Sequence, residues 1–564
     1  MSVVLNPSRK PNNNLSTLPS TRMRRSLRVK EDLDKYYFEE QAQLKARSLN
    51  LSYIDLYGFP VESTVLIEIP LPKVEEFKVG VFSHNGSELY LATPDPYYQG
   101  QQKFLQELAV NKKYKLFICS DSSLKKLIGS FNAVVKNKVI DDSISISEER
   151  MDNKSSQKLT LIELNQVLAK TSISEMIETV LIAALQNNAS DIHFEPEKDS
   201  YNLRLRLDGV LHTFADLPKV NQKAVESRIK IISGLKINVD NIPQDGRFTF
   251  KASDKDIDVR VSMLPSNYGY SVVMRLLGTG SVGLDLDLLG FSNTARDRIN
   301  GAIQKPQGLI LTTGPTGSGK TTTLYSFLKS LNDGESKIIT LEDPIEYKLS
   351  GISQTQIDAA AGYTFSSGLR SILRQDPDVV LVGEIRDKET SEIAIQASLT
   401  GHQVLSTIHT NDAAGAIPRL MEMGVKGFLL ADSLSLIIGQ RLVRRLCQFC
   451  KKDHTLTLEE RSLVIDQLAK LPPNHPQIPL RMKFYTSEGC PECSGLGYKG
   501  RIGAYEVMIV GEKLRELLSN QFPSINQVRQ VAASEGMLTM MQDGILKAMD
   551  GHTDLKELIR NIAS

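Results

Sequence analysis

The run Leu309-Ile-Leu-Thr-Thr-Gly314-Pro-Thr-Gly-Ser-Gly319-Lys320-Thr321-Thr-Thr constrains this chain more than any other stretch. A short apolar strand leads into GxxxxGKT, and the residues that follow are able to continue as a helix. Glycines let such a loop wrap with its N–H groups turned inward, and the helix N-terminus adds positive potential. The spacing therefore assigns Gly314, Pro315, Thr316, Gly317, Ser318, Gly319, Lys320, Thr321 and Thr322 to a nucleoside triphosphate. Lys320 is placed to reach the β- and γ-phosphates, and Thr321 to offer its hydroxyl to Mg²⁺.

Phosphate binding is not hydrolysis, which also needs a metal-holding acid, a means of orienting water, and positive charge on the transition state. Ile338-Ile-Thr-Leu-Glu342-Asp343-Pro-Ile-Glu346 and Asp378-Val-Val-Leu-Val-Gly-Glu384-Ile-Arg386-Asp387 both read as apolar strands ending in carboxylates. A doubly wound sheet gathers strand C-termini at its ligand edge, which brings Glu342, Asp343 and Glu384 towards the metal and the attacking water. Gly401-His402-Gln-Val-Leu-Ser-Thr-Ile-His409 reads as another strand, leaving His409 at its end as a γ-phosphate contact or water positioner.

The 564 residues imply roughly three or four folding units. Lys and Arg total 67 against 66 acids, so no global field draws the chain onto nucleic acid or anionic lipid. No window approaches the ~20 apolar residues that span a bilayer. Residues 1–30 hold basic residues and no acid, which reads as a disordered tail or as a membrane-surface or partner contact. Residues 31–136 alternate helix-like and strand-like patterns, Val65-Leu-Ile-Glu-Ile and Leu89-Tyr-Leu-Ala among the latter, as in a small α+β domain. Residues 137–160 are polar and read as a linker.

Residues 161–285 form a second α+β unit. Ser172 and Glu175 fit a capping box before the helical stripe Ile177, Val180, Leu181, Ala184 and Leu185. Strands follow at Leu203–Leu207, around Val259 and around Val272, with Arg204, Arg206, Arg260 and Arg275 on their wet side. An ordinary solvated sheet face would look the same. Residues 286–564 contain the phosphate loop and, near their end, Cys447-Gln-Phe-Cys450 and Cys490-Pro-Glu-Cys493. Two CxxC turns supply a closed tetrahedral S₄ set, the pattern of structural zinc, with Cys119 left over. The long insertion between the pairs makes the metal a clip at the base of a projecting subdomain.

Taken in order, Ala189-Ser-Asp-Ile-His193, Arg206-Leu-Asp208-Gly209, the Gly314–Thr321 loop, Glu342–Glu346, Leu369-Arg370-Ser-Ile-Leu-Arg374-Gln-Asp-Pro-Asp378, the strand ending at Glu384 and the Gly401–His409 box resemble the type II secretion and type IV pilus assembly ATPases. The resemblance covers about 165–564. It implies an α/β fold in which a RecA-like P-loop ATPase domain follows two smaller α+β domains, the second PAS-like, with a zinc-clipped element near the C-terminus. It also implies a Mg²⁺-dependent, homohexameric ATPase at the cytoplasmic face of the inner membrane, working on a membrane platform protein without nucleic acid. By resemblance, Arg260 and Arg275 reach the γ-phosphate of a neighbouring subunit, and Arg370, Arg374 and Arg386 lie near the site or a subunit interface. Glu384 and Glu342 share the work on water and metal, their roles undivided. Chain length and the extra N-terminal domain favour pilus assembly over secretion.

Overall fold

The computed structural model describes residues 36–57, 59, 61, 65, 68–85, 88–138, 145–146, 173–252, 255–277, 285–473, 475–476, 482–520 and 522–562. The basic stretch 1–30, most of the linker and the capping residue Ser172 lie outside them.

The first unit is a four-stranded sheet in the order β1 (Ser52–Tyr53), β4 (Lys113–Ile118), β3 (Glu88–Thr93), β2 (Gly80–Asn85), packed with helices α1 (Gln101–Asn111) and α2 (Asp121–Lys138). Val65, expected in a strand, is instead helical. Val65 and Ile69 are both buried four residues apart, a helical spacing that also satisfies strand alternation over so short a run. Within the expected linker, Ser145–Ile146 form an edge strand, β5, paired with Lys251 and Ala252 of the second sheet. Such a pairing uses main-chain groups alone and leaves no hydrophobic period to read.

The second sheet runs β5-β9-β10-β11-β6-β7-β8. Its strands are β6 (Asp191–Pro196), β7 (Ser200–Leu207), β8 (Val210–Pro218), β9 (Gln244–Ala252), β10 (Lys255–Ser266) and β11 (Gly269–Leu277). Helices α3 (Ile173–Gln186) and α4 (Gln222–Ile232) share its core through Val180, Leu181, Val225 and Ile229. Along β7, Tyr201, Leu203, Leu205 and Leu207 are buried while Arg204 and Arg206 alternate onto the other face.

The third sheet has the order β14 (Ser353–Gln356), β13 (Ile338–Glu342), β15 (Val379–Val382), β16 (Gln403–Ile408), β12 (Gly308–Thr313), β17 (Leu434–Leu446), β20 (Tyr498–Ile509). All neighbours are parallel except β17 and β20. β12 and β16 are buried along their whole length. Leu309 and Leu311 enter one core while Ile310 enters another, so layers cover both faces, as a parallel sheet requires. Helices α5 (Lys320–Leu331), α6 (Phe365–Leu373) and α7 (Lys388–Leu399) follow its strands.

Between β17 and β20 the chain forms the hairpin β18 (Lys451–His454) with β19 (Phe484–Ser487) and helix α8 (Leu458–Ala469). This excursion is not a free projection. Val464 and Phe484 pack with Ile545, Ala548 and Leu558 of the C-terminal helices α9 (Met540–Met549) and α10 (Leu555–Ile562). Gln542 Nε2 also donates to the carbonyls of Gln467 and Lys470. An amphipathic helix with a buried Val464 needs such a partner, and the C-terminal helices supply it.

Candidate functional site

The phosphate loop leaves the end of β12 and enters α5 with Gly319 as its N-cap at φ +90°. Gly314, at φ +146°, passes so near β17 that a Cβ would lie 2.4 Å from the Gln440 carbonyl oxygen. Only glycine fits there. Gln440 Nε2 donates to the Ser318 carbonyl at 2.8 Å, fixing the loop's far side to the same strand. Lys320 folds back over the loop, donating to the carbonyls of Gly314 at 2.8 Å and Pro315 at 3.1 Å. Burial pushes its pKa down, against the opposing pull of Glu384.

Pro315 to Thr322 line a cleft of about 900 Å³ together with Glu342, Glu384, Arg386, His409 and Arg275. The two acids that the sequence left equivalent are not so in space. Glu342 is buried at the end of β13, with its oxygens taken by Thr340 Oγ1 at 2.5 Å, Gln354 Nε2 at 3.2 Å and the Tyr325 hydroxyl. Burial, and then the bond to Glu342, raises the Tyr325 pKa, which keeps that hydroxyl a donor. Glu384 Oε2 lies 2.6 Å from Arg386 Nε and 3.3 Å from His409 Nε2. The buried oxygen is thus held at the Arg386 guanidinium, whose pKa the contact raises, with the His409 ring next to it. A carboxylate lining the cleft beside the loop that carries Thr321 has the donor chemistry that a hydrated Mg²⁺ requires. The Ile385 N–H donates to Thr407 O at 2.9 Å, locking the end of β15 to β16 and setting His409 beside Glu384.

The arginines divide. Arg275 lines the P-loop cleft of its own chain, where the resemblance implied a neighbour's site. Its Nε lies 2.9 Å from Asp191 Oδ1. Arg260, one strand over, lines a separate groove of about 650 Å³ with Arg247 and Arg275. It approaches the Ile345 carbonyl at 3.5 Å and Glu346 at 4.0 Å. Arg370 pairs with Glu389 at 2.7 Å on the surface, and Arg374 bonds the Arg370 carbonyl and Ser371; neither lines the cleft. The sequence reading missed Asp191, Arg206 and Asp208 from the second unit and Arg441, Arg501 and Arg560 from the C-terminal part, all of which line it. Asp191, Arg206 and Asp208 stand inside the Ala189–His193 and Arg206–Gly209 motifs, which was the available signal; Arg441, Arg501 and Arg560 carry no local pattern.

The four cysteines converge where β17 ends and β20 begins. Their Sγ atoms all lie within 4.8 Å of one another. Cys447–Cys490, Cys450–Cys493 and Cys490–Cys493 are 3.8, 3.9 and 3.7 Å apart. A tetrahedral zinc with bonds of ~2.3 Å separates its sulfurs by roughly 3.8 Å, so the set fits that ion. Burial acts to raise the Cys493 pKa, but the backbone N–H groups of Cys490 and Gly497, each 3.2 Å from its sulfur, bring it down to about 7. Cys119 is buried in the first unit's core, apart from this set.

Residues 166–560 match the family described as Type II/IV secretion system protein. The type IV pilus assembly ATPase PilB of Myxococcus xanthus is 38% identical over 520 residues, 90% of this chain and 88% of its own. The type II secretion system protein E of Pectobacterium carotovorum subsp. carotovorum is 46% identical over 388 residues, 69% of this chain and 75% of its own. Among solved structures, the Legionella pneumophila ATPase DotB is similar in fold, with a TM-score of 0.50 at 20% identity, covering 69% of this chain and 95% of that one. A glycine loop on a central parallel strand, strand-end acids around it and a family match over most of the chain agree, and the chain belongs to the type II/IV secretion system proteins as one of their P-loop ATPases.

Proposed function

We propose that this chain powers type IV pilus assembly by hydrolysing MgATP. The observation that carries the choice is coverage. The two PilB relatives of Myxococcus xanthus and Pseudomonas aeruginosa align over 90% and 92% of the chain, which takes in the first unit. The Pectobacterium protein E aligns over 69%. Type II secretion is the second reading, favoured by the higher identity, 46%, within the shared part.

In this reading the P-loop amides and Lys320 hold the β- and γ-phosphates, and Thr321 with Glu384 holds Mg²⁺, which supplies charge neutralisation on the phosphates. Glu384, held by Arg386 at the cleft wall, orients the attacking water, and His409 beside it senses the γ-phosphate. Glu342, saturated by its three partners, fixes the strand end. Arg275 and Arg386 stabilise charge in the transition state, Arg260 meets a neighbouring subunit, and the four cysteines hold a structural zinc. Six copies act at the cytoplasmic face of the inner membrane on a platform protein; among the described residues no helix is long and apolar enough to cross a membrane.

The deciding experiment has two arms. ATPase rate measured against protein concentration should rise cooperatively and vanish in Glu384→Gln; a flat specific activity refutes the oligomeric motor. Deleting the gene from its source should abolish surface pili and leave secreted enzymes unchanged; the reverse outcome selects secretion.

A further inference from the structure

Across the second sheet, three strands bring one row of side chains into register: Arg275 on β11 faces Asp191 on β6, which faces Arg206 on β7. Like charges set side by side on a sheet repel, so two arginines flanking a single carboxylate form an arrangement that depends on it. Asp191 is buried. Its Oδ1 accepts from Arg275 Nε at 2.9 Å, its Oδ2 lies 3.1 Å from Arg206 Nε, and Oδ2 also accepts from the Ser190 hydroxyl at 2.9 Å. Burial acts to raise the Asp191 pKa, yet the bonds from Arg275 and Ser190 hold it below the usual carboxylate value, so the group is an anion.

The contact atoms matter. Both arginines are gripped by Nε, the inner edge of the guanidinium. Arg206 spends one terminal nitrogen on the Gly209 carbonyl at 3.3 Å. Among the described residues nothing takes the terminal fork of Arg275, and its side chain is 60% exposed while lining the cleft that holds the phosphate loop. A fork free at its outer edge and clamped at its inner one is pre-aimed for the paired oxygens of a phosphate.

We infer that Asp191 is a positioning residue for ATP hydrolysis, a buried anion that clamps Arg206 and Arg275 together and presents the Arg275 fork to the terminal phosphate. The inference rests on the ATPase reading of the cleft. Asp191 touches no nucleotide itself; it acts through the arginines. ADP, which lacks the terminal phosphate, is indifferent to the clamp.

The test is steady-state ATP hydrolysis and ADP binding by the full chain in Asp191→Asn, Asp191→Ala, Arg275→Ala and the double variant Asp191→Ala with Arg275→Ala. Asp191→Asn keeps the shape but presents an amide NH₂ to one of the two arginines. Expected is a kcat loss of about tenfold or more in each single variant, a double variant no worse than about threefold below Arg275→Ala, and ADP affinity within about twofold throughout. A merely structural role predicts multiplying losses and weaker ADP binding, and that result overturns the inference. So does wild-type kcat in Asp191→Asn while Arg275→Ala is impaired, an outcome that leaves the ATPase reading standing. Wild-type kcat in Arg275→Ala removes the arginine from catalysis and the clamp with it. If Asp191→Ala does not fold, the same comparison runs with Asp191→Asn in the double variant.

Discussion

The nucleotide cleft and the cysteine cluster are both built at ends of the third sheet's strands, yet they are opposites. The cleft is open and is assembled from distant parts of the chain, and charged side chains of both signs line it. The cluster is closed, its four sulfurs within 4.8 Å of each other and Cys493 met by two backbone N–H groups. An open cleft lined by charges admits and releases a ligand; a closed tetrahedral sulfur set keeps its ion. The difference is the structural reason for assigning chemistry to one and stability to the other.

The sharpest way to break this contrast is Glu384→Gln. It should cut turnover by about 10²–10³-fold, because the carboxylate that positions water and metal for the transition state is neutralised, while ATP affinity and melting temperature change far less. Next in size, Cys490→Ser or a strong chelator should lower the melting temperature by roughly 5–10 °C, read by calorimetry, with ADP affinity at low temperature preserved. If chelation instead stops turnover at once without touching stability, the cluster is not structural.

A third, smaller effect tests saturation itself. Glu506 is buried on β20 and accepts the N–H groups of Ala413, just past His409, at 2.9 Å and of Met540, at the start of α9, at 3.3 Å. Burial raises its pKa to about 7, with Asp412 acting in the same direction and those N–H groups and Arg529 opposing. A raised carboxylate pKa means that the folded state binds the proton more tightly, so this stability is fully present below the unfolded value, ~4.3, and is lost as pH rises through about 7. Glu506→Gln should flatten the fall in melting temperature between about pH 5 and 8, and an unchanged slope refutes it. Smallest of all, Arg370→Ala should change nucleotide affinity by less than about twofold and stability by under ~0.5 kcal/mol, because its pair with Glu389 is an exposed one.

Much of this was legible in advance. The loop, its flanking strands, the strand-end acids and the four cysteines are local patterns, and local patterns survive folding. What escaped depends on partners far away in sequence. That Glu342 is saturated follows from Tyr325 and Gln354 meeting it, and no spacing announces that. Arg275 reaches its own cleft because of how the second unit faces the third, while Arg370 and Arg374 fall outside because α6 turns them to the surface, towards Glu389 and Ser371. The docking of α8 on the C-terminal helices was hidden for the same reason, since an amphipathic stripe says that a helix is covered but not by what.

One ribbon joins the two contrasted places. β17 begins beside β12, passes Gln440 under the phosphate loop and ends at Leu446, immediately before the first cysteine, with β20 paired along most of it. Sulfur chemistry at one pole therefore has a mechanical address at the other: a ribbon unstitched at its foot holds the loop less firmly at its head. With the sulfurs unbridged, warming would loosen the ribbon first, and the grip on the loop and the fold around it would fail together.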